Sequence, residues 1–290
     1  MSKDTPIEWC DSSVNPVMGC DGCELWIPGK IEHCYAGSLH KIRGGRPGYA
    51  DKFEIPKLFP GRMAVAANWN TMPDRTDKPW LTGPRKIFIS DMGDALSRDV
   101  PLEYLRDEVI GAVNSEKGRR HHWLWLTKQP ARMVKLAEMI GTLPENLWAM
   151  TSVTSAEQLG RVRQLLRVPA KVRGVSYEPA LGPVDFGHFL THGLHWLIVG
   201  GESGPSARPF DLAWARSAVQ QCKDAGVAVF VKQLGSVPIP QHQAGAWDMD
   251  HPNKIKRVGP TGTCVLDLRD RKGGDMSEWP EDLRVREFPR

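Results

Sequence analysis

Residues 86–94 read KIFISDMGD, a short apolar run that ends in a serine, two aspartates and a glycine. Apolar residues in unbroken succession mark a strand covered on both faces, as parallel strands are. The same texture returns at 122–127 (HWLWLT), 147–153 (LWAMTSV), 172–178 (VRGVSYE), 195–201 (HWLIVGG) and 227–233 (VAVFVKQ). A shorter candidate strand lies at 7–10.

Helical periods fill the gaps. Residues 101–117 carry Pro101 in the first turn and Leu102, Leu105, Val109 and Val113 at helical spacing. Residues 130–140 repeat the device, with Met133, Leu136, Ala137 and Ile140 on one face. Ser155 and Gln158 form a capping box before Leu159, Val162 and Leu166. Asp211 caps a helix through Leu212, Ala215, Val219 and Cys222, and Gly226 ends it. Cys222 on that stripe reads as core, and so does Cys264 in a candidate strand at 263–268.

Strand and helix in alternation predict an α/β fold with a parallel sheet and right-handed crossovers. The count suggests a partial or complete TIM-like barrel of six or seven β/α units; an open doubly wound sheet is the alternative. Residues 1–235 form the expected barrel and 236–290 a C-terminal extension packed on it. Residues 36–83, rich in Gly, Pro and Arg, read as one helix near 36–41 followed by a long irregular excursion.

In such folds chemistry sits at the carboxyl ends of the strands. Those ends are polar here: Asp91 and Asp94, Thr127 and Lys128, Ser152, Tyr177 and Glu178, Gly201 and Glu202, Lys232 and Gln233. Gly200–Gly204 (GGESG) lets a ligand approach the backbone but lacks the third spaced glycine of a dinucleotide fingerprint. Glu178 and Glu202 could serve as a hydrolase pair, and Lys128 or Lys232 as a clamp for an anion.

Upstream, residues 15–35 read NPVMGCDGCELWIPGKIEHCY and hold Cys20, Cys23 and Cys34. Asn-Pro and Pro-Gly predict an irregular loop, and Gly19 and Gly22 let it fold around something compact. Thiolates so gathered suit a soft metal or an iron–sulfur cluster. A closed zinc site needs a fourth ligand, Cys10 or His33; without one, three thiolates match a four-iron cluster with one open iron. Both readings stand on spacing.

The chain of 290 residues has ordinary hydrophobic (41%) and charged (25%) content and a net charge of +4, which permits an anionic substrate without requiring one. Clustered cysteines in so long a chain do not make a secreted disulfide framework. The first residues, MSKDTPIEWCD, hold no apolar signal core, and no apolar run is long enough to span a bilayer. The expectation is a cytoplasmic protein. Basic clusters at 40–46, 117–122, 254–257 and 269–272 are solvated faces or nucleic-acid contacts.

IEWCDSSVNPVMGC…CYAG, ISDMGD, LTKQPARM, IVGGESGPSARP, FVKQLG and WPEDLRVREFP together resemble the phage and prophage three-cysteine-motif family, a radical-SAM-like group of unknown activity. The resemblance implies a [4Fe–4S] cluster on Cys20, Cys23 and Cys34, with S-adenosylmethionine on the open iron. Reductive cleavage would give a 5′-deoxyadenosyl radical that abstracts hydrogen from substrate. A one-electron donor of flavodoxin or ferredoxin type is the implied partner, and nucleic acid or a nucleotide the substrate class considered. On this reading Asp91, Asp94, Ser152, Glu178, Gly201 and Glu202 contact the cofactors, and Lys128, Tyr177, Lys232 and Gln233 the substrate. The spacing Cys-x2-Cys-x10-Cys departs from the usual Cys-x3-Cys-x2-Cys, and GGE follows a late strand rather than an early one. The alternatives are a non-catalytic zinc-stapled binding module and a barrel hydrolase.

Overall fold

The computed structural model describes residues 1–71, 75–240, 255–258 and 263–290, with backbone alone at 255–258 and 263. The chain divides into two compact units, 1–151 with 161–173, and 152–160 with 174–290. The basic cluster at 254–257 falls outside the described side chains.

In the first unit the strands Ser12–Val14, Lys86–Ile89, His122–Thr127 and Leu147–Ser152 lie side by side in that order, all parallel. Only Ser152 of the last belongs to the second unit. Ser12 faces Ile87, Lys86 faces His122 and Trp123 faces Leu147. In the second unit the strands Arg173–Tyr177, which enters it at Gly174, Trp196–Gly200 and Ala228–Gln233 are likewise parallel, the middle strand bonded to both neighbours. Seven parallel strands alternating with helices make a mixed α/β architecture compatible with a partial β/α barrel.

The unbroken apolar runs explain the strands. Ile87, Trp123, Leu124, Trp125, Leu197 and Ile198 are all fully buried. Each such side chain contributes on the order of 1.5–3 kcal/mol of transfer free energy. Helix Pro130–Ile140 opens on its proline and buries Met133, Leu136 and Ala137 as its period predicts, while Ile140, expected on the same face, is half-buried at the helix end. The Ser155 and Gln158 capping box forms. Asp211 accepts the Ala213 amide at 2.8 Å, and Gly226 closes that helix with φ +66°. Cys222 is buried in the core.

Three local expectations are corrected. Residues 7–10 form a turn, and the first strand is Ser12–Val14. The Lys78 ammonium binds the carbonyls of Thr5, Ile7 and Cys10 at 2.5, 2.8 and 2.9 Å, removing the acceptors a ladder would use. The helix begun at Leu102 passes through a π turn at Arg106–Ile110 and stops at Asn114, short of 117. Gly118 folds back there so tightly that a Cβ would lie 1.9 Å from the Ala112 carbonyl. The excursion at 36–83 contains, besides helix Tyr35–Arg43, a second helix, Arg62–Ala67. Its first turn is capped from afar by Glu108, which accepts the Gly61 and Met63 amides at 2.9 Å each. Among the described residues no helix is long and apolar enough to cross a membrane.

Candidate functional site

The cysteine loop is more ordered than its turn dipeptides suggest. Val17–Met18 pairs antiparallel with Lys57–Leu58, and Trp26–Ile27 with Ile31–Glu32. The cysteines fall where these short ladders turn. Gly19 sits at φ +96°, and a Cβ there would lie 2.7 Å from the Phe53 carbonyl, the same carbonyl that accepts the Cys20 amide at 2.7 Å. Only glycine tolerates that backbone at that distance. The Leu25 amide points at the Cys23 sulfur at 3.4 Å, and the Cys34 amide donates to the Leu25 carbonyl at 3.0 Å. Cys34 then takes the N-cap position of helix Tyr35–Arg43, without a capping bond from its side chain. All three cysteines are half-buried. Cys20 and Cys34 pack against a core of Met18, Trp26, Ala36, Phe53 and Met92.

Asp94 fastens this loop to the sheet. Its amide donates to the Gly19 carbonyl at 3.2 Å. Its carboxylate accepts the Thr127 hydroxyl on both oxygens at 2.9 Å, the Lys128 amide at 2.8 Å and the Leu96 amide at 2.9 Å. Burial pushes the Asp94 carboxyl up, and these donors pull it back. Asp91 does similar work nearby: it accepts from the Ser13 hydroxyl at 3.1 Å and from the Asn15 amide group, while its carbonyl accepts the Tyr35 hydroxyl. Burial also raises the Asp91 carboxyl.

Two further carboxylates on the loop escaped the sequence reading. Glu24 forms a two-pronged ion pair with Arg161, at 2.9 and 2.6 Å. Burial alone would raise its carboxyl, but Arg161 and the Lys128 charge bring it down to about 2. Asp21 accepts the Arg98 amide at 2.9 Å through one oxygen, while its other oxygen is buried without a partner among the described residues. Their sequence positions beside Cys20 and Cys23 were a usable signal; Arg98 and Arg161 gave none.

The electrostatics converge on Lys128. Burial pushes its ammonium down, but Cys23, Cys34 and Glu24 more than offset this, and its affinity for the proton rises. Among the described residues its amino group makes no hydrogen bond. Burial drives the Cys20 thiol up to about 12, with Asp94 adding to the effect, and raises Cys23 against the pull of Lys128. As free thiols both are therefore protonated at neutral pH. Among the described residues no three His, Cys, Asp or Glu side chains converge on a point that would hold a metal ion. Cys10 is fully buried and His33 is exposed.

The second unit gathers its own strand-end groups. Glu178 pairs with Lys232 at 3.0 Å and accepts the Ser176 hydroxyl at 3.2 Å. Gly200 makes room for it, since a Cβ there would lie 2.9 Å from Glu178 Oε1. Glu202 is clasped by Arg208 at 2.8 and 2.9 Å. Gln233 donates to the Gly201 carbonyl at 2.9 Å, and the Tyr177 hydroxyl donates to the Gly182 carbonyl. Ser152 is buried at the end of its strand. An open cavity of about 480 Å³ lies beyond Gly204, lined also by Ser236, Asp270 and Arg271.

No curated protein and no solved structure matches the chain. A model of one family, described as a protein of unknown function (DUF5131), matches residues 4–259. Since that match takes in the cysteine loop and all seven parallel strands, the chain belongs to the DUF5131 family.

Proposed function

We propose that the chain is a radical-SAM-like iron–sulfur enzyme, its cluster held by Cys20, Cys23 and Cys34. S-adenosylmethionine would be the co-substrate, and nucleic acid or a nucleotide the substrate class. One observation supports the reading: Cys20, Cys23 and Cys34 are all half-buried in one short loop, and Cys20 and Cys34 pack on the same small core. The donor set is soft, thiolate-only and three in number, which suits an iron–sulfur cluster with one site left open.

A cluster bound there would supply one electron to the sulfonium of S-adenosylmethionine. The chain's own part is positioning. Asp94, with both oxygens filled by donors from residues 96, 127 and 128, holds the loop through the Gly19 carbonyl. Glu24 and Arg161 pin the loop beyond Cys23. The tight packing of Trp26 over Gly37 limits water at its back.

Neither alternative gains a supporting observation. Cys10, the fourth zinc ligand of the binding-module reading, sits in a turn whose carbonyls Lys78 binds. Glu178 and Glu202, the hydrolase pair, are each already ion-paired to a cation. A general acid needs a carboxyl kept protonated, and an ion pair works against that.

Anaerobic purification with iron, zinc and acid-labile sulfide analysis tests the proposal. Iron with sulfide, lost in Cys34→Ser and kept in Cys10→Ser, is the expected result, together with 5′-deoxyadenosine released from S-adenosylmethionine under reductant. Zinc lost on either substitution would replace it with the stapled-module reading.

A further inference from the structure

The excursion that follows the cysteine loop holds the chain's excess of positive charge. From Ile27 to Arg62 seven lysines and arginines stand against three acidic residues, a net of +4, which is the net charge of the whole chain; the other residues balance. Two of the three acids are paired within the segment, Glu32 with Lys41 and Asp51 with Lys57. The third, Glu54, accepts the Trp26 indole at 3.3 Å.

Three guanidiniums gather at one turn. Helix Tyr35–Arg43 ends at Gly44, and the chain folds back with the Gly45 amide on the Ala50 carbonyl and the Tyr49 amide on the Arg46 carbonyl, each at 3.0 Å. Arg43 donates to the Tyr49 hydroxyl at 3.1 Å, and Arg62 to the Gly48 carbonyl at 2.8 Å. Arg46 is exposed within the turn itself. Among the described residues none of the three is paired with a carboxylate. The helix dipole favours Arg43 at the C-terminal end, but Arg46 and Arg62 lie outside that helix. A guanidinium presents a planar fork that matches a phosphate.

The same helix turns two large apolar side chains to solvent, Tyr35 at 59% exposure and Ile42 at 68%. Seven residues apart, they share one face. Tyr35 is nonetheless held, because its hydroxyl donates to the Asp91 carbonyl. An anchored ring open to solvent is a stacking surface for a base. Tyr35 and Arg43 are about 12 Å apart along the helix axis, so one short strand reaches both. Two exposed apolar residues are too few to seat a helix in a membrane surface.

We infer that helix Tyr35–Arg43 and the turn after it bind single-stranded nucleic acid, with Arg43 and Arg46 on phosphates and Tyr35 against a base. This rests on the nucleic-acid substrate class proposed above and adds a contact surface to the strand-end residues.

Fluorescence anisotropy of labelled oligothymidylate and oligouridylate, about 16 nucleotides long, is measured against the anaerobically purified full chain. Salt runs from about 50 to 200 mM. Iron, S-adenosylmethionine and turnover do not enter this readout. Wild type should bind at least one probe, and the tighter of the two assigns the sugar. Arg43→Gln/Arg46→Gln should bind about tenfold more weakly and flatten the slope of log K against log salt by about 1.4, two phosphates at about 0.7 each. Tyr35→Ala should also weaken binding about tenfold but leave that slope unchanged, and Tyr35→Phe, which keeps the ring, should lose less. Lys135→Gln/Arg163→Gln removes two exposed charges elsewhere in the same unit and should bind as wild type. An equal loss in that control overturns the inference, since net charge alone would then account for binding. Wild-type affinity in the arginine pair or in Tyr35→Ala also overturns it, as does tighter binding to a duplex or to phosphatidylserine vesicles. A wild type that releases 5′-deoxyadenosine but binds neither probe loses this inference and keeps the iron–sulfur reading. One that binds a probe as described but takes up no iron loses the iron–sulfur reading and keeps this inference.

Discussion

Glu24 and Arg161 stand 137 residues apart and meet in a two-pronged ion pair, Oε1 to Nη1 at 2.9 Å and Oε2 to Nη2 at 2.6 Å. Both side chains are less than a quarter exposed, so water screens them little. The folded carboxyl lies at about 2, below its ordinary value of 4.5. Its stabilisation is therefore fully present above about pH 4.5 and is lost as pH falls toward 2. Glu24→Gln should cost about 1–3 kcal/mol at neutral pH, since it removes the carboxylate that accepts two hydrogen bonds from Arg161. It should also flatten the acid limb of a urea-unfolding series run from pH 5 to 2.5; an unchanged acid limb would show that the pair contributes nothing.

Asp94→Asn tests the anchor of the cysteine loop. Its oxygens face only donors, the Thr127 hydroxyl and the amides of Lys128 and Leu96. An amide nitrogen must replace one of those acceptors, and a buried unmet donor costs about 1–3 kcal/mol. Thermal melting should fall accordingly, and limited proteolysis should cut first within residues 15–35. Loss of stability without faster cleavage there would mean that Asp94 does not hold the loop.

Gly19→Ala places a Cβ 2.7 Å from the Phe53 carbonyl at φ +96°. Strain of that kind costs about 1–3 kcal/mol, and the Cys20 amide would have to leave the same carbonyl. The expected outcome is a destabilised chain that takes up less iron than Gly45→Ala, a control with open space around it despite its own positive φ. Equal iron uptake by the two variants would count against the compact loop.

His122 supplies a pH dependence far from any cluster. Burial, helped by the charges of Lys86 and Lys171, holds its imidazole down to about 4. It packs on Trp148 with ring centres 5.1 Å apart, and its Nδ1 is buried without a partner among the described residues. The unfolded chain takes up this proton near pH 6.5 and the folded chain does not until about 4, so stability declines as pH falls through that window. His122→Gln should flatten the decline in part; His121, also held down by burial, contributes to the remainder. The check is the denaturation midpoint at pH 7, 5.5 and 4.5 for both proteins, and parallel slopes would dismiss the assignment.

The strands were readable because their burial leaves a one-dimensional trace. Trp123, Leu124 and Trp125 are contiguous in sequence and all fully buried. Helices carried by local caps, such as Asp211 with Gly226, were readable for the same reason. Helix Arg62–Ala67 was not, because its cap is Glu108, supplied from another part of the chain. The turn at residues 7–10 was misread as strand because Lys78, some seventy positions on, decides where its carbonyls go.

The sequence by itself determined the alternation of parallel strands and helices, the membership of three cysteines in one loop, and the polar character of the strand ends, since each is a property of neighbouring residues. Only tertiary structure decided that Arg161 belongs to Glu24 and that Asp94 ties the loop to residues 127 and 128. Those pairings depend on the distance between side chains brought together by the fold, and electrostatic and hydrogen-bond energies act across that distance whatever the separation along the chain.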